Sequence, residues 1–211
     1  MEKKITYILV GCLTILYSLY LLAEKILWGS SFSNLLSIII VPYILIKLKD
    51  LLRYEYDYKK ADLLINVLIV LIVISVLWVI IAVIIASVLL IIFAFTMSPI
   101  GGSIEGFNYL IINVLIAVIG LIEILLGIKI MKLNKPGKLI RFIALLFIVC
   151  GMSTAICRII CFSPIVPLYV INYTWRLQPY LETFSQFLLF FSLGIRFFIN
   201  NIKHDEVVKE L

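Results

Sequence analysis

Residues 63–97 read LLINVLIVLIVISVLWVIIAVIIASVLLIIFAFTM, a run without a single charged residue, glycine or proline. Eighteen or more such residues are typical of a transmembrane helix. At 1.5 Å per residue this run would measure about 50 Å, against about 30 Å of hydrocarbon in a bilayer. It is therefore either one long helix that tilts or projects beyond the membrane, or a hairpin of two shorter ones.

Five further apolar stretches resemble this one in composition. The chain of 211 residues is 64% hydrophobic and 14% charged, whereas a soluble domain carries about 25% charged residues. Such an excess of hydrophobic residues is accommodated by a lipid bilayer. No connection between the stretches is long enough to fold as a separate domain. We therefore predict a single membrane-embedded domain, residues 1–211, with no nucleic-acid partner. The other stretches are 5–23, 33–46, 107–131, 139–161 and 181–200.

The basic residues decide how many times the chain crosses. Fifteen of the eighteen lysines and arginines lie before the first stretch, in or at the borders of the second and fourth connections, or at the end of the last stretch and beyond it. Only Lys25, Arg158 and Arg176 lie elsewhere. Basic connections stay in the cytoplasm, so this alternation predicts an all-α bundle of six transmembrane helices with both termini cytoplasmic. Omitting 33–46 or splitting 63–97 would place a strongly basic connection outside.

Two further predictions concern the first helix and the membrane in which the chain lies. The run 5–23 follows Lys3 and Lys4 like a signal peptide, but no small-residue cleavage site follows it. We therefore expect a retained first helix. The chain is predicted to reside in the cell membrane, with the lipid bilayer as its main partner.

Glu123 is the most unusual residue within the apolar stretches. Counting from the centre of 107–131, its carboxyl lies about 7 Å to the cytoplasmic side of the midplane. Gly120 and Gly127 share its face and allow a neighbouring backbone to approach. Arg196 falls at a similar depth, so we predict a Glu123–Arg196 ion pair. Such a pair is either structural or a coupling site for a proton or cation, while Arg196 alone would extend to the headgroups.

A second polar group lies towards the outer face. Glu182 and Gln186 are four residues apart and therefore on one side of the last helix. Arg158 lies near the same level on the preceding helix, and Arg176 lies in the connection between them. These residues suggest an outward vestibule for an anionic or zwitterionic ligand, or alternatively charges that headgroups hydrate.

Residues for catalysis, metals or cofactors are sparse. Cys150, Cys157 and Cys161 share a helical face but have no histidine nearby, so we expect close helix packing there and no metal site. Motifs for nucleotide hydrolysis or a zinc protease are absent. We therefore predict no catalytic residue and no cofactor, and the sequence favours a protein without enzymatic activity. Lipid chemistry that uses Glu123 stays an alternative.

Two connections invite sharper interpretations. The predicted cytoplasmic loop 47–62 alternates tyrosines with charges, which suits either anchoring in the headgroups or docking of a protein partner. The predicted outer connection 162–180 combines three prolines with five aromatic residues. It is expected to lie in the outer interface, and a lid over an outward-facing cavity is the alternative.

The function predicted from these features is coarse. We expect a small transporter, or a subunit of a membrane complex, that binds a solute or lipid among the fourth, fifth and sixth helices. A structural or regulatory membrane protein is the second interpretation, and a lipid-modifying membrane enzyme is the third. Topology by itself does not distinguish them.

Overall fold

The computed structural model describes residues 2–27, 33–96, 102–134, 136–162 and 167–209. These residues form six α-helices and one short 3₁₀ turn, Lys59–Ala61, and no strand occurs among them. The apolar runs form helices because a helix satisfies every backbone N–H and C=O internally. The helices are α1 Glu2–Leu27, α2 Ser33–Tyr56, α3 Asp62–Thr96, α4 Gly102–Met131, α5 Lys138–Phe162 and α6 Leu168–Lys209.

The all-helical prediction is confirmed, and α3 is one continuous helix rather than a hairpin. Five of the helices, namely α1 and α3 to α6, are long and apolar enough to cross a membrane. Within the described part of the chain, α2 does not belong to this group. Its first half is apolar, but its second half carries five charged residues between Lys47 and Glu55. The predicted kink at Pro42, which lies inside α2, stays a prediction.

Two predicted connections are partly helical. Residues 47–56 of the predicted loop 47–62 continue α2, and only Asp57 and Tyr58 separate this helix from the 3₁₀ turn. Asp57 has a φ of 45°, which lets the chain reverse there. The last helix begins at Leu168 instead of residue 181, so most of the predicted outer connection is helix. Residues 163–166 of that connection, and residues 97–101 around Pro99, lie outside the described residues.

The six helices form a closed ring in chain order. Each helix contacts its neighbours along the chain, and α6 closes the ring by contacting α1. Tyr17 of α1 packs edge-on against Phe190, while Lys25 lies over the Tyr180 ring, so α1 and α6 run antiparallel. Antiparallel pairing around the ring brings the start of α1 and the end of the α6 span to one end. We call this the terminal end and the other the opposite end.

A glycine contact joins α4 to α5. A Cβ built on Gly120 would lie 2.8 Å from the carbonyl oxygen of Gly151 and 3.2 Å from the Cβ of Ala155. One heptad further along, Gly127 lies against Ala144 in the same way. These small residues let the two backbones touch, as helices do in lipid. The prediction that glycines around Glu123 admit a neighbouring helix is thus confirmed.

The two ends of the bundle are filled differently. Among the described side chains, the buried residues nearest the opposite end are polar, namely Glu24, Asn113 and Gln178. Buried polar groups must find hydrogen-bond partners, so this end is where specific polar contacts concentrate. Apolar side chains fill the terminal half, among them Val10, Ile44, Leu48, Leu52, Ile65, Leu126, Ile130, Ile143, Phe147, Leu193 and Phe197.

Candidate polar site along helix α6

Arg158 connects three helices at the opposite end. From α5, its Nη1 donates to Asn113 Oδ1 of α4 at 2.6 Å. Its Nη2 lies 3.9 Å from Glu182 Oε1 of α6. Its Nε is buried and has no hydrogen-bond acceptor among the described residues. The guanidinium therefore joins α4 to α6, whose described backbones do not approach each other, and its Nε–H can donate to a further acceptor.

Glu182 is the acceptor at the centre of this group. Its Oε1 also receives a hydrogen bond from Gln178 Nε2 at 2.8 Å, one helical turn earlier. The ammonium of Lys25 on α1 interacts electrostatically with the same carboxyl. Four helices thus supply polar groups to one level of the bundle. The predicted grouping of Arg158 with Glu182 is seen in the geometry.

The buried face of α6 carries polar residues along most of its length. Positions 178, 182, 185, 189, 192 and 196 follow one another at alternating spacings of four and three, which defines a single helix face. Leu189 is the one apolar member. The other five positions, all buried or mostly buried, we call the polar stripe: Gln178, Glu182, Ser185, Ser192 and Arg196.

Serine residues continue the polar contacts towards the middle of the bundle. Ser185 of α6 lies 3.4 Å from Ser153 of α5, Oγ to Oγ. Each of these hydroxyls also donates to a backbone carbonyl of its own helix, Glu182 and Cys150 respectively. Cys150 itself is buried in the apolar core. Together with Gly151 and Ala155 against Gly120, this supports the predicted packing role of the small residues on α5.

Glu123 lies beside this set without joining it. Its side chain is half-buried in α4, and among the described residues no hydrogen bond or ion pair reaches its carboxyl. It interacts electrostatically with Glu182 and Cys150. The carboxyl therefore faces the α5–α6 side of α4 and stays available to a proton, a cation or a donor on a ligand.

The predicted Glu123–Arg196 ion pair is wrong. Arg196 is 5% exposed, and its Nη2 donates to the Glu55 carboxylate at the end of α2 and, at 3.3 Å, to Tyr56 Oη. Arg196 lies on the face of α6 that looks across the bundle, whereas α5 separates α4 from α6. The prediction rested on a similar depth for the two side chains, and depth does not decide which helices face each other.

Other predicted site residues lie nearby without bonding to the site. Gln186 is half-buried and Arg176 is exposed, and neither makes a hydrogen bond or ion pair with another described residue. The structure adds Asn113 and Gln178, which sequence reasoning missed. Both left a signal: Asn113 is an amide inside an apolar stretch, and Gln178 precedes Glu182 by one turn. Within the described residues, no group of histidine, cysteine or carboxylate side chains has the arrangement of a metal site.

Comparison with known proteins returns no counterpart: no protein-family model, no curated protein and no solved structure matches the chain. Chemically, the arrangement offers donors from Arg158 and Lys25 beside acceptors from Glu182 and Glu123. Such a set recognises small polar groups of either charge, and the hydroxyls along α6 extend it into the bundle.

Proposed function

We propose that this chain is a small multi-pass membrane protein that binds a polar solute or lipid headgroup among α4, α5 and α6. It acts as a transporter or as the solute-binding subunit of a membrane complex. The polar stripe on α6 is the observation that carries this proposal. Serines are common where transmembrane helices pack, but α6 also buries Gln178, Glu182 and Arg196 beside its buried leucines and phenylalanines. Charged groups inside apolar spans are rare on a helix that only packs.

The energetic argument is the cost of these groups in lipid. A charged residue at the centre of a transmembrane helix costs about 2.5–3.5 kcal/mol, and less near the interface. Lys25, Arg158 and Arg196 stand within three residues of the ends of the apolar spans, and Glu182 stands six residues from the start of its span. Intramembrane charges of this kind are characteristic of solute pathways. Because the Arg196–Glu55 ion pair occupies the terminal end of the polar stripe, we propose that a solute enters from the opposite end.

The proposal places the protein in the cell membrane, which it crosses six times, with both termini on the cytoplasmic side. A helix of 24 residues such as α2 measures about 36 Å, enough to cross about 30 Å of hydrocarbon. The lysines and arginines around α2, the 3₁₀ turn and the α4–α5 connection make the terminal end the basic one, which supports a cytoplasmic position for it.

A structural or regulatory role is the second candidate, and one observation favours it. Two of the three guanidinium nitrogens of Arg158 face protein groups, on Asn113 and Glu182. In that case the polar stripe only fixes the order and rotation of the helices, and the protein carries no solute.

Co-purification distinguishes the two candidates. The protein is extracted from native membranes into nanodiscs, and retained lipids and metabolites are identified by mass spectrometry for the wild type, Arg158→Gln and Arg141→Gln. Arg141 is the matched control because it is an exposed arginine on the same helix. A molecule retained by the wild type and by Arg141→Gln but lost from Arg158→Gln supports binding. Identical retention in all three supports the structural role.

A further inference from the structure

The 3₁₀ turn Lys59–Ala61 is docked onto the last turn of α4. Tyr58 Oη donates to the carbonyl oxygen of Lys129 at 3.1 Å, and Lys129 Nζ donates to the carbonyl oxygen of Lys60 at 3.4 Å. The backbone N–H of Lys132 bonds to the same Lys129 carbonyl. Four lysines from two separate connections are thereby brought to one place at the terminal end.

Several cations of the same end have side-chain partners, whereas these four lysines have no acidic partner among the described residues. Arg53 binds Asp62 through Nε and Nη2, at 2.6 and 2.5 Å. Lys47 pairs with Asp50, and Lys49 donates to Asn66. By contrast, Lys59, Lys60 and Lys132 are exposed and make no ion pair with a described residue, and Lys129 contacts only a carbonyl.

The position of the four lysines fixes what they face. Lys59 opens one apolar span, Lys59–Ile85, and Lys129 lies in the last turn of another, Ile111–Met131. Residues at the ends of such spans lie at headgroup level. The C-terminal end of α4 adds partial negative charge that favours ammonium groups. Lipid phosphate groups lie at this level, so the four positively charged lysines are next to them.

We propose that Lys59, Lys60, Lys129 and Lys132 form a binding site for the phosphate headgroup of an anionic phospholipid. The proposal is independent of the solute-binding function. Basic residues between transmembrane helices bind such headgroups, and here the hydrogen bonds of the docked turn hold Lys59 and Lys60 beside the end of α4. Because Tyr58 holds the turn against α4, the two pairs of lysines are neighbours without a lipid.

The test measures lipid selectivity of the full chain. Protein purified in detergent is mixed with phosphatidylcholine and phosphatidylglycerol, and the lipids bound after dilution are counted by native mass spectrometry. Lysine contributes about 1 kcal/mol near an anionic surface, so Lys60→Gln with Lys132→Gln should lower phosphatidylglycerol affinity about five- to thirtyfold. Phosphatidylcholine binding should not change.

The controls separate this site from general charge. Arg141→Gln with Arg176→Gln removes the same charge from exposed positions outside the site and should retain phosphatidylglycerol selectivity. Lys60→Arg with Lys132→Arg keeps the charge and should behave like the wild type, which shows that charge and not the lysine side chain is required, while unchanged phosphatidylcholine binding by the glutamine variant shows that it is folded. Equal phosphatidylglycerol binding by the glutamine variant overturns the proposal. Displacement of the lipid by inorganic phosphate at equal phosphate concentration overturns the lipid as the source.

Discussion

Arg196 of α6 donates to the carboxylate of Glu55 at the C-terminal end of α2, across the ring of helices. The two side chains are unequal in their surroundings, since the arginine is 6% exposed and the carboxylate 25%. Tyr56 Oη adds a weaker contact at 3.3 Å. This pair links two helices that are not neighbours in the ring, and it closes the polar stripe at the terminal end.

The unequal burial of Arg196 and Glu55 predicts which of their variants is less stable. Glu55→Gln leaves a buried guanidinium without its counterion, and the free energy of unfolding should fall by about 3 kcal/mol. Arg196→Met leaves a carboxylate that water or headgroups can reach, so the loss should be smaller, about 1 kcal/mol. Tyr56→Phe should cost at most about 1 kcal/mol. Thermal unfolding in one detergent provides the comparison, and a larger loss for Arg196→Met than for Glu55→Gln would contradict the assignment.

The glycine contact between α4 and α5 predicts a steric effect. In Gly120→Ala the new methyl group meets the Gly151 carbonyl oxygen and the Ala155 backbone nitrogen, neither of which moves without shifting a helix. The free energy of unfolding should fall by about 1–3 kcal/mol. Gly137→Ala is the matched control, because nothing lies within 4 Å of its Cβ position. Equal stability of the two variants would show that the helices do not touch at Gly120.

The two contacts of Arg158 predict different coupling energies. A double-mutant cycle between Arg158→Gln and Asn113→Ala should give about 1.5–3 kcal/mol, because a charged donor and its acceptor lie 2.6 Å apart. The cycle with Glu182→Gln should give less than about 1 kcal/mol across 3.9 Å. Chemical denaturation of the four variants of each cycle measures both values. The reverse order would mean that the ion pair, and not the amide contact, holds α5 in place.

The proposed six crossings predict which positions share a side of the membrane. In a background without the native cysteines, Leu27→Cys and Arg176→Cys should react with an impermeant thiol reagent from outside, whereas Asp57→Cys and Lys132→Cys should react only after the membrane is opened. Leu27 and Asp57 bracket α2 and are exposed in the structure. Labelling of both from the same side would show that α2 does not cross.

Hydrophobic composition and the order of charges predicted the helices correctly, but they did not predict all of the helix ends. The run from residue 63 to 97 was predicted as one helix because it has no glycine, proline or charge and because splitting it would place a basic connection outside, and α3 has almost these bounds. The start of α6 was missed since Pro179, Arg176 and several aromatic residues resemble a connection. The helix accommodates Pro179 near the membrane surface, and Thr183 Oγ1 donates to the proline's carbonyl oxygen at 2.7 Å.

By itself, then, the sequence determined an all-helical chain and its apolar segments, because helix formation and hydropathy are local properties. Only the tertiary structure decided which polar residues meet. Partner choice depends on the order of helices around the ring and on the rotation of each about its axis, and both follow from packing between distant segments. That is why Glu123 and Arg196, which the sequence placed at one depth, do not pair, and why Arg196 instead binds Glu55, more than a hundred residues away in the chain.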